Sequence, residues 1–200
     1  MFLKLYKKLL KKHGKQNWWP ISNQFKPAEL EICLGTILTQ NTSWKNVEKA
    51  LTNLKKQGLL TAEDIIKTDT KKLEKAIKPS GFYKQKAQRL KTLCKFILTY
   101  KGDFYKQVKR EELLSLKGVG KETADSILLY ACNKPFFVID TYTRRLLSFI
   151  GLIKGDEDYD KIQKLCESKL PKDIKLYQEF HALIVEEGKL SPQNSNRKVF

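Results

Sequence analysis

Apolar residues recur at the spacing of one helix face along most of this chain, with polar residues between them. The first such run spans Phe2 to Leu10 and stops at Gly14, a residue type that favours helix ends. A second, largely apolar run follows Pro27, which suits the first turn of a helix. Only Phe136–Ile139 resembles a strand, and no partner of similar character exists in the sequence. The pattern predicts about ten helices and an all-α fold.

Capping residues mark the ends of several predicted helices. Ser43 is placed to cap a helix that ends at Gly58. Thr61 with Asp64 resembles a capping box in which Asp replaces the usual Glu. No repeat and no Gly- or Ser-rich linker divides the chain, so we predict a single helical unit over residues 1–190 and a flexible tail over residues 191–200.

The chain is strongly basic. It carries 39 Lys and Arg against 22 Asp and Glu, which gives its 200 residues a formal net charge of +17. Apolar residues make up 41% of the sequence, which is too many for a disordered basic tail. A compact cationic protein is typical of nucleic-acid binding. Attraction to an acidic membrane surface is the alternative, but it would concentrate the lysines at one end, and here they run along the whole chain.

Targeting and redox signals are few. No apolar run reaches the roughly 18 residues of a membrane span, and the basic N-terminus lacks the apolar core and cleavage site of an export signal. The cysteines are too far apart for a metal-binding pair or a dense disulfide frame. We therefore expect a cytoplasmic protein with reduced, buried cysteines, no bound metal and no membrane partner. The sequence carries no signal of oligomeric state, and a monomer is the default expectation. The four cysteines are Cys33, Cys94, Cys132 and Cys166.

A turn rich in glycine and lysine, Leu116–Lys121, joins two predicted helices. Its two glycines permit positive φ and leave backbone N–H groups bare at the start of the next helix, where an anion can bind. Val119 between them can plug back between the helices. With a lysine on either side, this turn could hold a DNA phosphate without reading any base. The predicted DNA-contacting residues of the turn are Lys117, Gly118, Val119, Gly120 and Lys121.

The turn has two other possible interpretations. A nucleotide-binding P-loop is excluded because Ser115 stands at its first glycine position and Glu122 follows Lys121. If the turn is considered without its flanking lysines and the charge of the chain, an ordinary connection between two helices is the preferred interpretation. The flanking lysines and the charge of the chain make phosphate binding the favoured interpretation.

Three segments resemble the helix-hairpin-helix/Gly-Pro-Asp superfamily of DNA glycosylases, with its endonuclease III-like branch nearest. The first is Leu116–Ala124 followed by Val138–Thr141. The second is Ile37–Thr42, similar to that branch's L-[ST]-x-Q-[NT]-[TS] pattern, and the third is Pro79–Ala87, similar to G-[LFY]-Y-x-x-K-A. The resemblance runs from about Trp18 to Glu187 in the family's order.

The resemblance implies a fold and a site. It implies two helical lobes, one over about 28–135 and the other over 1–27 with 136–190, which bind double-stranded DNA in a cleft between them. It makes Asp140 the essential catalytic carboxylate. Gln40 and Phe82 would fill or wedge the gap left by an extruded base, and Asn41 would join the DNA contacts. Such contacts offset the few kcal/mol that base flipping costs.

Departures from the family pattern narrow the implied activity. Lyase-competent members carry a lysine two residues after the second glycine, where this chain has Glu122. Lys121 precedes it and should point elsewhere, because one residue turns a helical side chain by about 100°. We therefore expect the Schiff-base route to be lost. No cysteine follows Cys166, so no iron–sulfur cluster is expected, whereas the resemblance allows a monovalent cation at the hairpin backbone.

The tryptophans resemble those of the 3-methyladenine DNA glycosylases within this branch. In that group, aromatic residues from the segments equivalent to Trp18-Trp19-Pro20 and Trp44 form the base pocket, and the hairpin carries Glu. An N-methylated purine is cationic, departs as a neutral base and stacks on electron-rich rings, for about 0.5–2 kcal/mol per contact. The predicted base pocket consists of Trp18, Trp19, Trp44 and Glu122.

Each predicted site residue also has a structural interpretation. The tryptophans could pack a loop end. Glu122 could be a solvated acid that complements the helix dipole. Asp140 could cap the helix that begins at Thr141, a role compatible with catalysis. His181 is interpreted as a structural histidine rather than a base.

Three functions remain open at this point. The leading hypothesis is a monofunctional DNA N-glycosylase that removes alkylated purines such as 3-methyladenine and leaves an abasic site. The second is an endonuclease III-type glycosylase and AP lyase that acts on oxidised pyrimidines, with Lys121 as a substitute nucleophile. The third is a non-catalytic DNA-binding module that uses only the hairpin.

Overall fold

The computed structural model describes residues 1–19 and 21–190, and that part of the chain contains helices and no strand. The all-α prediction is confirmed, and the predicted tail over residues 191–200 lies outside the described residues. A 3₁₀ turn, Lys78–Ser80, and a π-helical turn, Ile127–Ala131, supplement the α-helices. The α-helices are α1 (Phe2–His13), α2 (Glu29–Leu38), α3 (Trp44–Lys56), α4 (Ala62–Lys67), α5 (Thr70–Ile77), α6 (Tyr83–Thr99), α7 (Phe104–Gln107), α8 (Arg110–Leu114), α9 (Lys121–Ser126), α10 (Thr141–Phe149), α11 (Tyr159–Lys169) and α12 (Ile174–Leu190).

The chain divides into two compact units. Among the described residues, unit 1 contains Met1–Trp18 and residues 135–190, and unit 2 contains residues 19 and 21–134. The segment after Trp19 is held within unit 2. Ser22 donates from its backbone N–H and its hydroxyl to Glu31 Oε2, at 2.7 Å each.

Unit 1 is built around α12, whose side chains from Phe180 to Val185 are buried. The apolar face of α1, which includes Leu5 and Leu9, is also buried, as the helical spacing predicts. The strand candidate Phe136–Ile139 is neither helix nor strand. A side chain of α11 hydrogen-bonds its backbone instead, since Gln163 Nε2 donates to the carbonyl oxygen of Phe137 at 2.9 Å.

Unit 2 is built around α2. Every residue from Leu30 to Leu38 is buried, as expected for a helix that is apolar on most of its faces. The capping box of Thr61 and Asp64 is confirmed at the start of α4. Ser43 stands at the N-cap of α3 but makes no capping hydrogen bond with its side chain, so that part of the prediction is wrong.

The cysteine and membrane predictions concern the whole described chain. All four cysteines are free and buried, as predicted. Burial raises the pKa of the Cys94 thiol to about 12, which keeps it protonated at neutral pH. Over residues 1–19 and 21–190, no helix combines the length and the apolarity that crossing a membrane requires.

Candidate functional site

Asp140 forms the N-cap of α10, as one of its two sequence interpretations predicts. Its Oδ1 accepts a hydrogen bond from Thr143 N at 2.7 Å. Its Oδ2 lies 3.5 Å from His181 Nε2 of α12, and only 13% of the Asp140 side chain is exposed. The approach to Asp140 is fixed by α11, where Tyr159 Oη accepts from Ile139 N at 3.2 Å.

The carboxyl of Asp140 is held ionised. Burial raises its pKa, but the hydrogen bond and charge of His181 and the hydrogen bonds from Thr143 outweigh burial, so the pKa lies below its ordinary value of 3.8. The start of α10 adds the positive end of a helix dipole. A buried carboxylate that stays negative at neutral pH is suited to stabilising a nearby positive charge and unsuited to donating a proton.

His181 joins Asp140 to Trp18. The rings of Trp18 and His181 have centroids 5.7 Å apart and are tilted by 40°. His181 itself is 5% exposed, as expected for a structural histidine. Its position beside the predicted catalytic carboxylate was not predicted, because no local sequence signal links Asp140 to a residue of α12.

Trp19 and Trp44 meet in unit 2. Their rings pack edge to face with centroids 5.1 Å apart. The ring centroid of Tyr130 lies 5.3 Å from that of Trp19. Gly35 of α2 leaves room for the Trp19 indole, because a Cβ there would lie 3.1 Å from Trp19 Cζ2. Tyr130, which sequence reasoning missed, is on the π-helical turn, a feature that often marks functional segments. The structure thus joins two predicted pocket residues and supplies a third ring.

The hairpin is a rigid turn between α8 and α9. Gly118 has φ +88°, which requires glycine, whereas Gly120 has φ −90°, so only one of the two glycines uses the left-handed region. Val119 is 8% exposed, so its side chain is buried. A two-point ion pair ties the helices together, with Arg110 donating to the fully buried Asp125 at 2.7 and 3.0 Å.

Gln40 braces the hairpin. Its Nε2 donates to Gly118 O at 3.1 Å and to Thr123 Oγ1 at 2.9 Å. Its Oε1 accepts from Arg89 Nη1 at 2.5 Å. The Arg89 side chain passes directly over Gly118, where a Cβ would lie only 2.3 Å from Arg89 Nε. Arg89 and Thr123 were absent from the sequence prediction, since only the folded chain brings them to Gln40.

Two other predicted contact residues lie on exposed turns with left-handed backbone. Asn41 has φ +53° and is exposed, and Phe82 has φ +45° and is 64% exposed. A non-glycine residue with positive φ, and an aromatic ring in water, are both costly arrangements that tend to occur at functional sites. Both observations are in line with a role for Phe82 outside the core.

Lys86 fastens these two turns to one another. It is 1% exposed, and its Nζ donates to Leu38 O at 2.8 Å and to Ser80 O at 2.7 Å. Leu38 ends α2 just before Gln40, and Ser80 ends the 3₁₀ turn just before Phe82. Burial, followed by the nearby charge of Arg89, lowers the pKa of Lys86 to about 8.

The remaining predicted residues line the start of α9 and its turn. Glu122 is exposed in the first helical turn, Lys117 is exposed and Lys121 is half-buried. This placement fits both interpretations of Glu122, as a solvated acid and as a residue that meets a ligand. In the described part of the chain, no three His, Cys, Asp or Glu side chains are grouped so that they could hold a metal ion.

Comparison with known proteins gives one matching family. The model of the HhH-GPD superfamily of base excision DNA repair proteins matches residues 34–172. That range contains Gln40, Trp44, Phe82, the hairpin and Asp140.

Individual relatives span most of the chain. A candidate DNA repair glycosylase of Methanocaldococcus jannaschii is 49% identical over 197 residues, which cover 94% of this chain and 87% of the relative. The endonuclease III of Thermotoga maritima is 32% identical and covers 82% of this chain and 75% of its own length. The solved structure of an H. pylori 3-methyladenine DNA glycosylase bound to 1,N6-ethenoadenine is 36% identical, with a TM-score of 0.77 over 95% of this chain and 97% of that one.

Proposed function

This chain belongs to the HhH-GPD superfamily of base excision DNA repair proteins, and from that membership we propose that it is a monofunctional glycosylase that releases N-alkylated purines such as 3-methyladenine from duplex DNA. The observation that supports this substrate class is the aromatic cluster in which Trp19 packs edge to face on Trp44 and at a tilt of 57° to Tyr130. The similarity to a 3-methyladenine DNA glycosylase points the same way.

The chemistry that we propose needs one carboxylate. Cleavage of an N-glycosidic bond builds positive charge on the sugar, and the ionised Asp140 would stabilise that charge or orient the attacking water. An alkylated purine is already cationic and departs as a neutral base, so no proton donor is required. This agrees with a buried carboxyl whose pKa is lowered rather than raised.

We propose that the base is recognised by Trp18, Trp19, Trp44 and Glu122. Indole rings attract a cationic ring through their faces, and Glu122 would add a negative charge. The Trp19 indole is held by Gly35 and Tyr130, so little side-chain entropy would be lost when a base stacks.

We propose that the duplex is held by the hairpin and by the turns of Asn41 and Phe82. The backbone N–H groups and lysines of the hairpin would bind a phosphate. The exposed ring of Phe82 would enter the base stack, where apolar side chains unstack DNA. Gln40, whose side chain is hydrogen-bonded to the hairpin, would also contact the duplex.

The direct test compares wild type with Asp140→Asn. Incubation with duplex containing 3-methyladenine or 7-methylguanine should release free base from the wild type, and the variant should be slower by at least about 100-fold. Asparagine caps helices as well as aspartate does, so the fold should be kept. Asp158→Asn, at the N-cap of α11 in the same unit, is the matched control. No release by wild type, or equal release by Asp140→Asn, contradicts the proposal.

A bifunctional lyase is the second candidate, since several relatives are endonuclease III proteins. By the family resemblance, Glu122 stands where lyase-competent members carry their lysine, and a carboxylate cannot form a Schiff base. Borohydride should therefore trap no covalent complex between wild type and DNA. A trapped complex that disappears in Lys121→Ala would favour the lyase.

A further inference from the structure

The segment that leads into Trp18 is held by one carboxylate of α12. Glu179 Oε1 accepts a hydrogen bond from the backbone N–H of Gln16 at 2.6 Å, and Glu179 Oε2 lies 3.3 Å from the N–H of Asn17. Successive N–H groups on one carboxylate fix both the position and the direction of the chain. The next residue is Trp18.

The segment lies at the protein surface. Gly14, Lys15 and Asn17 are exposed and Gln16 is half-buried, so the contact with Glu179 is not part of a packed core. Asn17 also has φ +50°, a conformation that costs free energy for a non-glycine residue. Glu179 thus binds the backbone on both sides of the peptide bond between Gln16 and Asn17, directly before Trp18.

The preceding end of the segment is fastened to the same helix. Glu187 of α12, which is 3% exposed, accepts from Lys12 Nζ at 2.8 Å and lies 2.6 Å from His13 Nε2. Gln16 Nε2 closes the end of α1 by donating to His13 O at 3.1 Å. Glu187 thus fixes where α1 ends, and Glu179 fixes the direction in which the chain leaves it.

The same helix also reaches Asp140. His181 of α12 lies 3.5 Å from Asp140 Oδ2, and its ring faces Trp18 at 5.7 Å. Glu179 and His181 therefore set Trp18 from two sides, one through the backbone and one through the ring. Both contacts lie within unit 1.

We propose that Glu179 is a positioning residue that orients Trp18 for contact with the damaged base. This inference rests on the proposed function, because it assigns Trp18 to base recognition. In this role Glu179 acts through the orientation of Trp18 and not on the base or the sugar, so its loss should leave the chemistry at Asp140 unchanged.

The first experiment observes Trp18 without any DNA. The chain has three tryptophans, so a ¹H–¹⁵N spectrum should show three indole N–H signals, which Trp→Phe variants assign. Glu179→Ala should shift and broaden the Trp18 signal and leave those of Trp19 and Trp44 in place. Glu186→Gln, which changes a half-buried carboxylate of the same helix that pairs with Lys189, should move none of them. An unmoved Trp18 signal in Glu179→Ala overturns the proposal.

The second experiment is a double-mutant cycle of Glu179→Ala with Trp18→Ala, read as kcat/KM for release of 3-methyladenine from a duplex. Glu179→Ala alone should lower kcat/KM by about 10- to 100-fold, the range expected for a misplaced binding group. Added to Trp18→Ala it should cost nothing further. Glu179→Gln, which keeps one acceptor oxygen for Gln16 N–H, should recover part of the loss. Additive effects of the two substitutions overturn the proposal.

The thermal midpoint and the indole spectrum distinguish a failure of the positioning proposal from a loss of stability and from a failure of the substrate proposal. An unchanged thermal midpoint in Glu179→Ala shows that the fold is retained, and a lowered midpoint with additive kinetics assigns Glu179 to stability alone. If wild type releases no alkylated base, the substrate proposal fails, while the indole spectrum still decides whether Glu179 orients Trp18.

Discussion

At the residue scale, the least ordinary side chain outside the proposed chemistry is Lys86. Burying an ammonium group is costly, and such a group is retained when its hydrogen bonds are satisfied and useful. Here the amine bonds two backbone carbonyls, of Leu38 and Ser80, that precede the turns of Gln40 and Phe82. A single buried charge therefore sets the spacing of two turns that we assign to DNA contact.

Replacing Lys86 by methionine tests this role. Lys86→Met keeps the apolar stem but leaves two buried carbonyls without a donor, so we expect a loss of about 1–3 kcal/mol in the free energy of unfolding at pH 7. The pKa of Lys86 falls from 10.5 to about 8 on folding. Between those values the unfolded chain holds a proton that the folded chain has released, so the contribution of this group to stability rises with pH.

The measurement is urea unfolding of wild type and Lys86→Met at pH 7 and pH 10. The difference in the free energy of unfolding between wild type and Lys86→Met should be larger at pH 10 than at pH 7. Lys84→Met, which removes an exposed lysine of the same helix, should stay within about 0.5 kcal/mol of wild type. If this difference in the free energy of unfolding stayed constant or became smaller as the pH rises, the amine of Lys86 would not be desolvated in the fold.

At the element scale, the hairpin depends on the contacts that Gln40 and Arg89 make with Gly118 and with each other. The positive φ of Gly118 and the Arg89 side chain above it leave no space for a Cβ. Gly120, by contrast, has ordinary φ, and a Cβ there would meet nothing within 4 Å. The two glycines therefore serve different purposes, the first in the fold and the second in keeping the N-terminus of α9 open.

Alanine substitutions should separate these purposes. Gly118→Ala should destabilise the protein by about 1–3 kcal/mol, because it strains the backbone and displaces Arg89 from Gln40. Gly120→Ala should leave the thermal midpoint unchanged and still weaken duplex binding, since its methyl group would stand where a phosphate approaches the N–H groups. Thermal unfolding and fluorescence anisotropy with an undamaged duplex measure both effects. Equal stability of the two variants would contradict this division of roles.

How far the sequence predicts each element depends on the range of the interaction. The capping box of Thr61 and Asp64 and the cap at Asp140 involve residues three positions apart, and both were predictable from local rules. The brace of Gln40 by Arg89 and the approach of His181 to Asp140 join distant parts of the chain, and residue types alone do not specify such pairs. The catalytic and pocket roles themselves remain predictions that the resemblance supplied.

At the scale of the whole molecule, the dominant property is charge. The net charge of +17 attracts DNA from any direction, but only lysines that touch phosphates release condensed counterions. The hairpin lysines, Lys117 and Lys121, were predicted to make such contacts. Lys71 and Lys72 of α5, which are exposed in the same unit, were interpreted as a solvated face that adds diffuse attraction.

The salt dependence of binding should distinguish these two groups. Affinity for an undamaged duplex, measured from 50 to 300 mM salt, should fall linearly on logarithmic axes, with a slope of about 0.9 per phosphate contact. The double substitution Lys117→Gln with Lys121→Gln should reduce the slope by about 1.8, because two contacts are lost. Lys71→Gln with Lys72→Gln removes the same two charges from the net +17, so it should weaken binding slightly and leave the slope unchanged. If both pairs changed the slope equally, total charge rather than the hairpin would account for the attraction of this protein to DNA, and the phosphate-binding role of the turn would have to be abandoned.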